Sequence, residues 1–536
     1  MITRTMAGRL ALASVLLAGT SAVQAQITKP VKTDAGLISG VPGKVVGVTA
    51  FKGIPFAAPP VGDLRWKAPA PVKPWKGVRD GSKYGKVCMQ NPGGNRVNPA
   101  TDMPDSPGIS EDCLSLNVWT AAKDAGEKRP VMVWLYGGAY TEGGGSSPFS
   151  EGDALAKKGV VLVTLNYRNG ALGFLSHPEL TKESGHNSSG NYALMDAVAA
   201  LKWIKANIAQ FGGDPNNVTT FGESAGSCMS AALAGSPLAK GLINRAIAES
   251  GAWMGLGINN MMTREAAEKA TLAAADKAGI KSLAEMRALP AQEAFSKFRG
   301  QGMIVDGWVI PQDLSITFAK GAQNAVDILV GSNSEEGSFT AGMGPSMTAA
   351  AWAEGAPKRW GTLAAAGLAA YPGKTDAEAK VEASMPFSDA MAWHMRLFAD
   401  SQAKIGKNAW HYFFTHQPPY DPGKPNLGAG HTAEIPYVFD NLAAPRTFPG
   451  QSSVALMAGN PREEAFADQI SSYWVNFAKT GNPNGPGLPD WPMVKNVGPT
   501  EAMVLDADGS GRGPWLSQAK VDLYRQIYER DVTVVH

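Results

Sequence analysis

A chain of 536 residues, 44% of them hydrophobic, is long enough to bury a large core. Its formal charge is only +2 at pH 7 and it has no basic clusters, which argues against nucleic acid as a partner. Its 14 tryptophans, 18 phenylalanines and 12 tyrosines exclude a disordered chain.

The first 25 residues have the three-part pattern of a secretory signal peptide. The segment "MITRTMAGR" carries two arginines and no acid, "LALASVLLAG" is apolar, and Val23 and Ala25 are small residues before a cleavage site. We therefore predict cleavage after Ala25 and a secreted or periplasmic protein. The apolar run is well short of the roughly 20 residues that a membrane span needs. No later segment is long and apolar enough either, so we expect no stable membrane insertion.

Three cysteines, Cys88, Cys113 and Cys228, fit an exported protein with one disulfide and one spare thiol. The sequence alone does not decide the pairing. Cys88 and Cys113 are the natural pair, because Cys228 lies four residues after Ser224 in a separate motif. No cysteine has a partner at ligand spacing and the seven histidines are scattered, so no metal site is predicted.

Short strand-like runs occupy residues 33–70, and longer apolar runs follow at 129–140, 159–168 and 217–226. Unbroken apolar runs are typical of strands buried on both faces of a parallel sheet. Between the second and third run, "YALMDAVAALKWIKANIAQFGG" has apolar residues at helical spacing, and Gly212 provides a stop. A strand, a crossover helix and a further strand predict a doubly wound α/β fold.

Two more strand-to-loop units are "LINRAIAESGAW" and residues 325–337, "AVDILVGSNSEEG". Residues 262–300 and 346–382 are alanine-rich and helical, as expected of segments that cap the sheet. There is no internal repeat and no low-complexity linker. We therefore predict one large domain over residues 26–536 after the signal peptide.

The stretch "VTTFGESAGSCM" holds a G-x-S-x-G motif between a buried strand and a small-residue helix start. That context predicts a nucleophile elbow, in which the glycines let the backbone pass close to itself and lift the Ser224 hydroxyl above the sheet. A small-residue turn without chemistry is the alternative. A free serine is a poor nucleophile, so it needs a base, and the base needs an orienting acid.

In a nucleophile-elbow architecture the acid and then the histidine follow the serine along the chain. His394, His411 and His416 have bulky neighbours that favour a packing or surface role, and His536 is the last residue. His431 lies in a glycine-rich loop, "LGAGHTAEIPYVF", which is where a catalytic base is expected. For the acid, Glu335 and Glu336 follow the strand "AVDILVG", and at most one of the two is catalytic.

A tetrahedral intermediate of acyl transfer also needs hydrogen-bond donors for its oxyanion. The motif "YGGAY" follows the buried strand "VMVWL", so the backbone N–H groups of Gly138 and Ala139 can serve there. Ala225, directly after the serine, supplies a third donor. A merely flexible glycine loop at 137–145 is the alternative, and it weakens because three independent parts appear in the required order.

Eight ordered motifs over residues 33–495 resemble the type B carboxylesterase family, the cholinesterase-like branch of the α/β-hydrolases. They are "FKGIPFAAPPVGDLRW", "EDCLSLNVW", "WLYGGAY", "NYRNGALGFL", "FGGDPNNVTTFGESAG", "GSNSEEGSF", "GAGHTAEIPYVF" and "YWVNFAKTGNPN". The resemblance implies an α/β-hydrolase fold, with a large, mostly parallel central sheet flanked by helices and helical cap insertions.

The resemblance also implies roles for particular residues. Ser224 would be the nucleophile, His431 the base and Glu336, rather than Glu335, the acid. It implies oxyanion donors at Gly138, Ala139 and Ala225, and a Cys88–Cys113 disulfide that closes a surface loop. Glu223 and Glu434 resemble a buried acidic network beside the triad, with a plain structural role as the alternative. Ala139 departs from the family pattern, because many relatives have a third glycine there.

The sequence thus predicts a secreted or periplasmic serine carboxylesterase that hydrolyses neutral small-molecule esters through an acyl-enzyme and needs no cofactor. One alternative is a catalytically silent, cholinesterase-like binding module, although all three triad positions are filled. Another is a serine hydrolase whose main substrate is an amide or a lactone. The sequence gives no indication of the oligomeric state.

Overall fold

A computed structural model describes residues 27–91, 106–252, 261–340, 347–445 and 452–531. The predicted signal peptide and its cleavage site lie outside these ranges. Within them the chain forms fourteen β-strands and eighteen α-helices. No helix in these ranges combines the length and the apolar composition that a bilayer span requires.

The strands are short at the N-terminus and longer toward the middle of the chain. In chain order they are β1 (Val31–Lys32), β2 (Leu37–Ser39), β3 (Val41–Pro42), β4 (Thr49–Pro55), β5 (Val78–Asp80), β6 (Ser115–Thr120), β7 (Arg129–Leu135), β8 (Val161–Leu165), β9 (Gly213–Glu223), β10 (Arg245–Glu249), β11 (Asp327–Asn333), β12 (Ala409–Phe414), β13 (Glu501–Leu505) and β14 (Gly511–Pro514).

Eleven of these strands form one sheet, in the order β14-β13-β12-β11-β10-β9-β7-β8-β6-β4-β3. The strands from β13 to β8 in this order are parallel to one another, and those at both edges are antiparallel. A smaller sheet has the order β1-β2-β5. Because parallel strands end at one edge, the loops after β7, β9, β11 and β12 meet there, which is where ligands bind in open α/β sheets.

The helices occur between the strands and after the last one. In chain order they are α1 (Asp153–Lys157), α2 (Gly170–Phe174), α3 (Pro178–Glu183), α4 (Tyr192–Asn207), α5 (Ala225–Gly235), α6 (Arg264–Lys277), α7 (Leu283–Ala288), α8 (Ala291–Lys297), α9 (Leu314–Ala319), α10 (Ala349–Glu354), α11 (Ala356–Trp360), α12 (Ala364–Ala370), α13 (Asp376–Glu382), α14 (Met385–Lys404), α15 (Ile435–Val438), α16 (Val454–Met457), α17 (Pro461–Thr480) and α18 (Gln518–Asp531).

The local sequence explains the central elements. The runs predicted as buried strands become β7, β8 and β9, and the apolar residues of all three are buried. The predicted crossover helix is α4, followed by a 3₁₀ turn that ends at Gly212 with φ 79°. A positive φ at this stop is the conformation that glycine adopts without a steric cost. The α/β prediction for this part of the chain is confirmed.

Three of the described helices pack against the parallel strands at the centre of the large sheet. α5 packs on β9 and β10, α17 on β7 and β9, and α14 on β11 and β12. The two alanine-rich segments predicted as helical form α6 to α8 and α10 to α13, as insertions between strands. The large, mostly parallel sheet flanked by helices is therefore as predicted.

A disulfide joins Cys88 and Cys113, while Cys228 is buried and takes no part in a disulfide. The two bridged residues are 25 positions apart, and closing such a loop stabilises a protein by about 3.5 kcal/mol in the chain-entropy model. The pairing that the sequence favoured is the one that the structure contains.

Candidate active site

Ser224 forms the sharp turn between β9 and α5. β9 ends at Glu223 and α5 begins at Ala225, so one residue makes the whole turn. Ser224 has φ 56° and ψ −122°, a backbone conformation that costs an L-residue about 1–3 kcal/mol. Its N–H donates to the Glu249 carbonyl at 2.9 Å, and its own carbonyl accepts from the Cys228 N–H at 3.0 Å. A strained serine held in this way is what a nucleophile elbow requires.

The glycines on either side of Ser224 are required by close backbone contacts. A Cβ on Gly226 would lie 1.9 Å from the carbonyl oxygen of Leu135, and one on Gly222 would lie 2.5 Å from the same oxygen. Both distances are shorter than real Cβ contacts. The turn can therefore lie against the end of β7 only because residues 222 and 226 have no side chain.

Glu336 and His431 are brought together from the loops that follow β11 and β12. Glu336 begins a 3₁₀ turn three residues after β11 ends, and its Oε1 accepts the Asn333 backbone N–H at 2.7 Å. Its Oε2 lies 2.5 Å from Nδ1 of His431. Glu336 is fully buried, whereas the His431 side chain keeps 16% exposure. A buried carboxylate on one ring nitrogen orients the imidazole and stabilises its cationic form.

Glu335 has a different set of partners. Its Oε2 accepts from the Ala429 N–H at 2.7 Å and from the Ser334 hydroxyl at 2.6 Å. Its backbone N–H donates to the Ala429 carbonyl at 3.0 Å. Of the two adjacent acids, Glu336 contacts the imidazole and Glu335 fastens the loop that carries His431.

Glu223 contacts the second ring nitrogen of the same histidine. Its Oε1 lies 3.2 Å from Nε2 of His431, so the histidine lies beside the Glu223–Ser224 turn. Glu434 is fully buried, and its Oε2 accepts from the Asn333 side-chain amide at 2.5 Å. Glu223 and Glu434 therefore both lie in the same buried region as Glu336 and His431, and Glu223 touches the imidazole itself.

The protonation state of His431 and those of the surrounding acids depend on one another. Burial is the largest influence on His431 and would lower its pKa, but the surrounding acids, Glu223 foremost, raise that pKa to about 10. Burial also raises the pKa of Glu223 well above its ordinary value, and raises that of Glu434 to about 7 with the help of Glu336. The imidazolium is thus favoured while the acids are ionised. Neutral imidazole, the form that a general base needs, is favoured when the acids hold protons themselves.

The loop after β7 approaches Ser224 closely. A Cβ on Gly137 would lie 3.1 Å from Cβ of Ser224 and 2.9 Å from Oε2 of Glu223. Gly138 and Ala139 follow with φ 113° and 52°. For alanine this left-handed conformation costs about 1–2 kcal/mol. The cost arises because Ala139 stands where many relatives have a third glycine.

Three backbone N–H groups near Ser224 have no acceptor among the described residues. Among the hydrogen bonds of the described ranges, none has the backbone N–H of Gly138, Ala139 or Ala225 as its donor. The Tyr140 carbonyl, which follows them, accepts from the Gly170 N–H at 2.7 Å and anchors the loop. Backbone donors without a protein acceptor are able to stabilise a negative charge that develops nearby.

Sequence reasoning missed two residues of this region, Asn333 and Glu249. Asn333 ends β11, and its side-chain amide donates to the Gly430 carbonyl at 2.8 Å as well as to Glu434. Glu249 ends β10 and is fully buried. A polar residue that closes a buried apolar strand was the available signal, because such residues meet at the edge of a parallel sheet.

A parallel sheet with a serine on a strand-to-helix turn, and an acid and a histidine on later loops in that order, is the arrangement of the α/β-hydrolases. Comparison with known proteins narrows this class. The sequence model of the carboxylesterase family matches residues 28–521. The chain belongs to the carboxylesterase family.

Individual relatives agree with this membership. The chain is 38% identical to the fumonisin B1 esterase of Sphingopyxis macrogoltabida, over 91% of this chain and 88% of that protein. It is 34% identical to the para-nitrobenzyl esterase of Bacillus subtilis strain 168, over 89% of this chain and 95% of that protein. The solved structure of a Geobacillus stearothermophilus carboxylesterase matches with a TM-score of 0.77 at 33% identity, over 92% of this chain and 99% of that one. The predicted family and the predicted class of enzyme, a carboxylic-ester hydrolase, are confirmed.

Proposed function

We propose that this enzyme hydrolyses neutral carboxylic esters through an acyl-enzyme on Ser224, with His431 as the base and Glu336 as its acid partner. The observation that supports the proposal most directly is the 2.5 Å contact between Glu336 and Nδ1 of His431. The other ring nitrogen of that histidine lies at the Glu223–Ser224 turn, 3.2 Å from Oε1 of Glu223.

In the first half of the reaction the Ser224 hydroxyl attacks the ester carbonyl. Nε2 of His431 takes the hydroxyl proton, and Glu336 stabilises the imidazolium that forms. The carbonyl oxygen becomes negative and receives the free N–H groups of Gly138, Ala139 and Ala225. When the tetrahedral intermediate collapses, the C–O bond to the alcohol breaks, and His431 returns the proton to the leaving alkoxide.

In the second half a water molecule repeats the same route. His431 takes a proton from the water, and the oxygen attacks the acyl carbonyl under the same oxyanion donors. Collapse breaks the bond to Ser224, the serine oxygen regains a proton from His431, and the carboxylic acid leaves. Every proton and acyl transfer uses the chain's own residues and water, so the proposal needs no cofactor.

The bond type is tested by p-nitrophenyl esters of rising acyl length beside the p-nitroanilides of the same acids. We expect kcat/KM for the esters to exceed that for the anilides by about a hundredfold or more, because an anilide nitrogen is a poorer leaving group. Equal or faster anilide cleavage would instead identify an amidase. A lactone added to the same panel covers the remaining alternative.

The preference for neutral alcohols rests on the disulfide loop. In cholinesterases an aromatic residue of the corresponding loop holds the choline cation. Here the loop, residues 88–113, contains no Trp, Tyr or Phe. A cation–π contact with a desolvated cation contributes about 2 kcal/mol. Glu223 replaces it poorly, because burial raises its pKa well above the ordinary value and its carboxyl group already faces His431.

We therefore expect similar kcat/KM values for a choline ester and for its uncharged 3,3-dimethylbutyl isostere. The two alcohols have the same shape and differ only in charge, so the ratio isolates recognition of the cation. A choline advantage above about tenfold, or about 1.4 kcal/mol, would contradict the preference for neutral substrates.

The proposed location is outside the cytoplasm, as a secreted or periplasmic enzyme. Two observations support it, the signal pattern in residues 1–25 and the Cys88–Cys113 disulfide. Disulfides form and persist in oxidising compartments. N-terminal sequencing of the exported protein should begin at Gln26.

A further inference from the structure

Three buried carboxyl groups interact with the imidazole of His431, and a fourth, that of Glu249, is the strand partner of one of them. This acid cluster consists of Glu223, Glu249, Glu336 and Glu434, all with at most 2% exposure. Among the ion pairs of the described ranges, the only basic group that pairs with any of the four is His431. One imidazolium balances one carboxylate, and an uncompensated buried carboxylate costs several kcal/mol. Some members of the acid cluster therefore hold protons when the site is at rest.

Glu249 has the contacts expected of a member that stays protonated. It is paired in register with Glu223, because β10 and β9 align these two residues as partners. Its Oε1 accepts the indole N–H of Trp474 at 2.8 Å, while its Oε2 is buried without a hydrogen-bond partner. A carboxyl group with one oxygen satisfied and the other unpaired can place a proton on the unpaired oxygen at little cost.

Glu434 offers the matching acceptor. Its Oε2 accepts from Asn333, but its Oε1 is buried and has no partner. The titratable groups that interact electrostatically with Glu249 are Glu434, Glu223 on β9 and Tyr412 on β12, whereas its neighbour from α17, Trp474, carries no charge. Burial first, and then the negative charge of Glu434, raise the pKa of Glu249 well above its ordinary value.

We propose that Glu249 is a positioning residue of the hydrolysis reaction, whose carboxyl group keeps its proton at neutral pH and donates it in a hydrogen bond, directly or through one water, to Oε1 of Glu434. The pair then carries one negative charge instead of two. The donated hydrogen bond keeps the single charge on Glu434, and this charge sets how strongly His431 holds its proton. It therefore sets the pH at which the imidazole is neutral and can accept the Ser224 proton. The inference rests on the proposed function, since it concerns the same base.

Two variants of Glu249 and one of Glu434 test the proposal through the pH profile of kcat/KM, whose acid limb reports the base in the free enzyme. In Glu249→Gln an amide replaces a neutral acid and still donates to Glu434. We expect its acid limb to stay within about 0.3 pH unit of wild type.

In Glu249→Leu the donor is lost, so Glu434 takes up a proton and His431 loses a negative neighbour. We expect the acid limb to move to lower pH by about 0.5 unit or more. Glu434→Gln removes the charge itself and should move it in the same direction.

Infrared difference spectroscopy supplies a readout that does not depend on activity or on Glu249→Leu folding. The carbonyl stretch of protonated carboxyl groups should be stronger in the wild-type protein at pH 7 than in Glu249→Gln, because the variant has one protonated carboxyl group fewer. If Glu249→Gln absorbs as strongly in this region as the wild-type protein, or if its acid limb moves, then Glu249 is ionised in the wild-type protein and the proposal is overturned. An acid limb unchanged in a folded Glu249→Leu that is only less heat-stable would show a packing role and would overturn it too. Failure of the Ser224 mechanism is distinguishable, because the Ser224→Ala variant would then remain active.

Discussion

Replacing Ser224 with alanine should lower kcat by at least about 10,000-fold, because the change removes the atom that forms the acyl bond in the proposed mechanism. The rate that remains comes from substrate binding and the oxyanion donors. The measurement is kcat for a p-nitrophenyl ester, with circular dichroism and thermal unfolding to show that the variant is folded. Folding should persist, since the change removes one oxygen and the turn is held by backbone hydrogen bonds to Glu249 and from Cys228.

Ser227 provides the matched control from the same segment. It lies within α5, and its hydroxyl donates to the Gly251 carbonyl. Ser227→Ala should keep kcat within about tenfold of wild type, because this hydroxyl is engaged in a backbone hydrogen bond. An organophosphonate probe should add its mass to Ser224, located by fragmentation because Ser227 lies in the same peptide. Full activity in Ser224→Ala would refute the assignment, and Cys228 would be the next nucleophile to test.

Replacing Glu336 with glutamine should lower kcat by about 10³–10⁴-fold. The amide can keep its oxygen on the Asn333 N–H, which leaves its NH₂ group facing Nδ1 of His431. That nitrogen must then accept, so the proton moves to Nε2 and the imidazole can no longer take one from Ser224. The loss of the carboxylate also removes a charge that stabilises the imidazolium. The measurement is kcat for the same ester.

Glu335→Gln is the control one residue away. Its amide oxygen can still accept from the Ala429 N–H and the Ser334 hydroxyl, the two hydrogen bonds that Glu335 makes now. We expect a loss below about tenfold in kcat, because the loop that carries His431 stays fastened. If Glu335→Gln were the more damaging variant, the acid would be assigned one residue too late.

The central strands could be predicted from the sequence because burial on both faces leaves an uninterrupted apolar run. β7, β8 and β9 all have this pattern, and the crossover helix α4 has apolar residues at helical spacing. β14 could not be predicted in this way. Its sequence, "GRGP", has no strand propensity, and only pairing with β13 at the edge of the sheet makes it a strand.

The residues of the candidate site also differ in whether local sequence was enough to predict them. Ser224 could be found because the glycines around it are required by local backbone contacts, and His431 because it lies in a glycine-rich loop. The choice of Glu336 over Glu335 depended on family resemblance, since two adjacent acids after a strand look alike. Glu249 could not be assigned, because its place beside Glu223 depends on β10 pairing with β9 in register. Strand order is a property of the folded sheet and not of local spacing.

Glu336 and His431, the proposed acid and base, are anchored on neighbouring strands, so their spacing does not depend on the chain that runs between those strands. β11 and β12 pair in parallel, so the loops that carry Glu336 and His431 leave the sheet side by side. The helices α10 to α13 are inserted between those two strands, after Glu336 and before α14, which packs on both strands. Changes in the length and sequence of α10 to α13 need not move Glu336 and His431, because the strand ladder and the Glu335–Ala429 hydrogen bonds set the spacing. The proposed acid and base can therefore keep their geometry while the segment between their two strands changes in length.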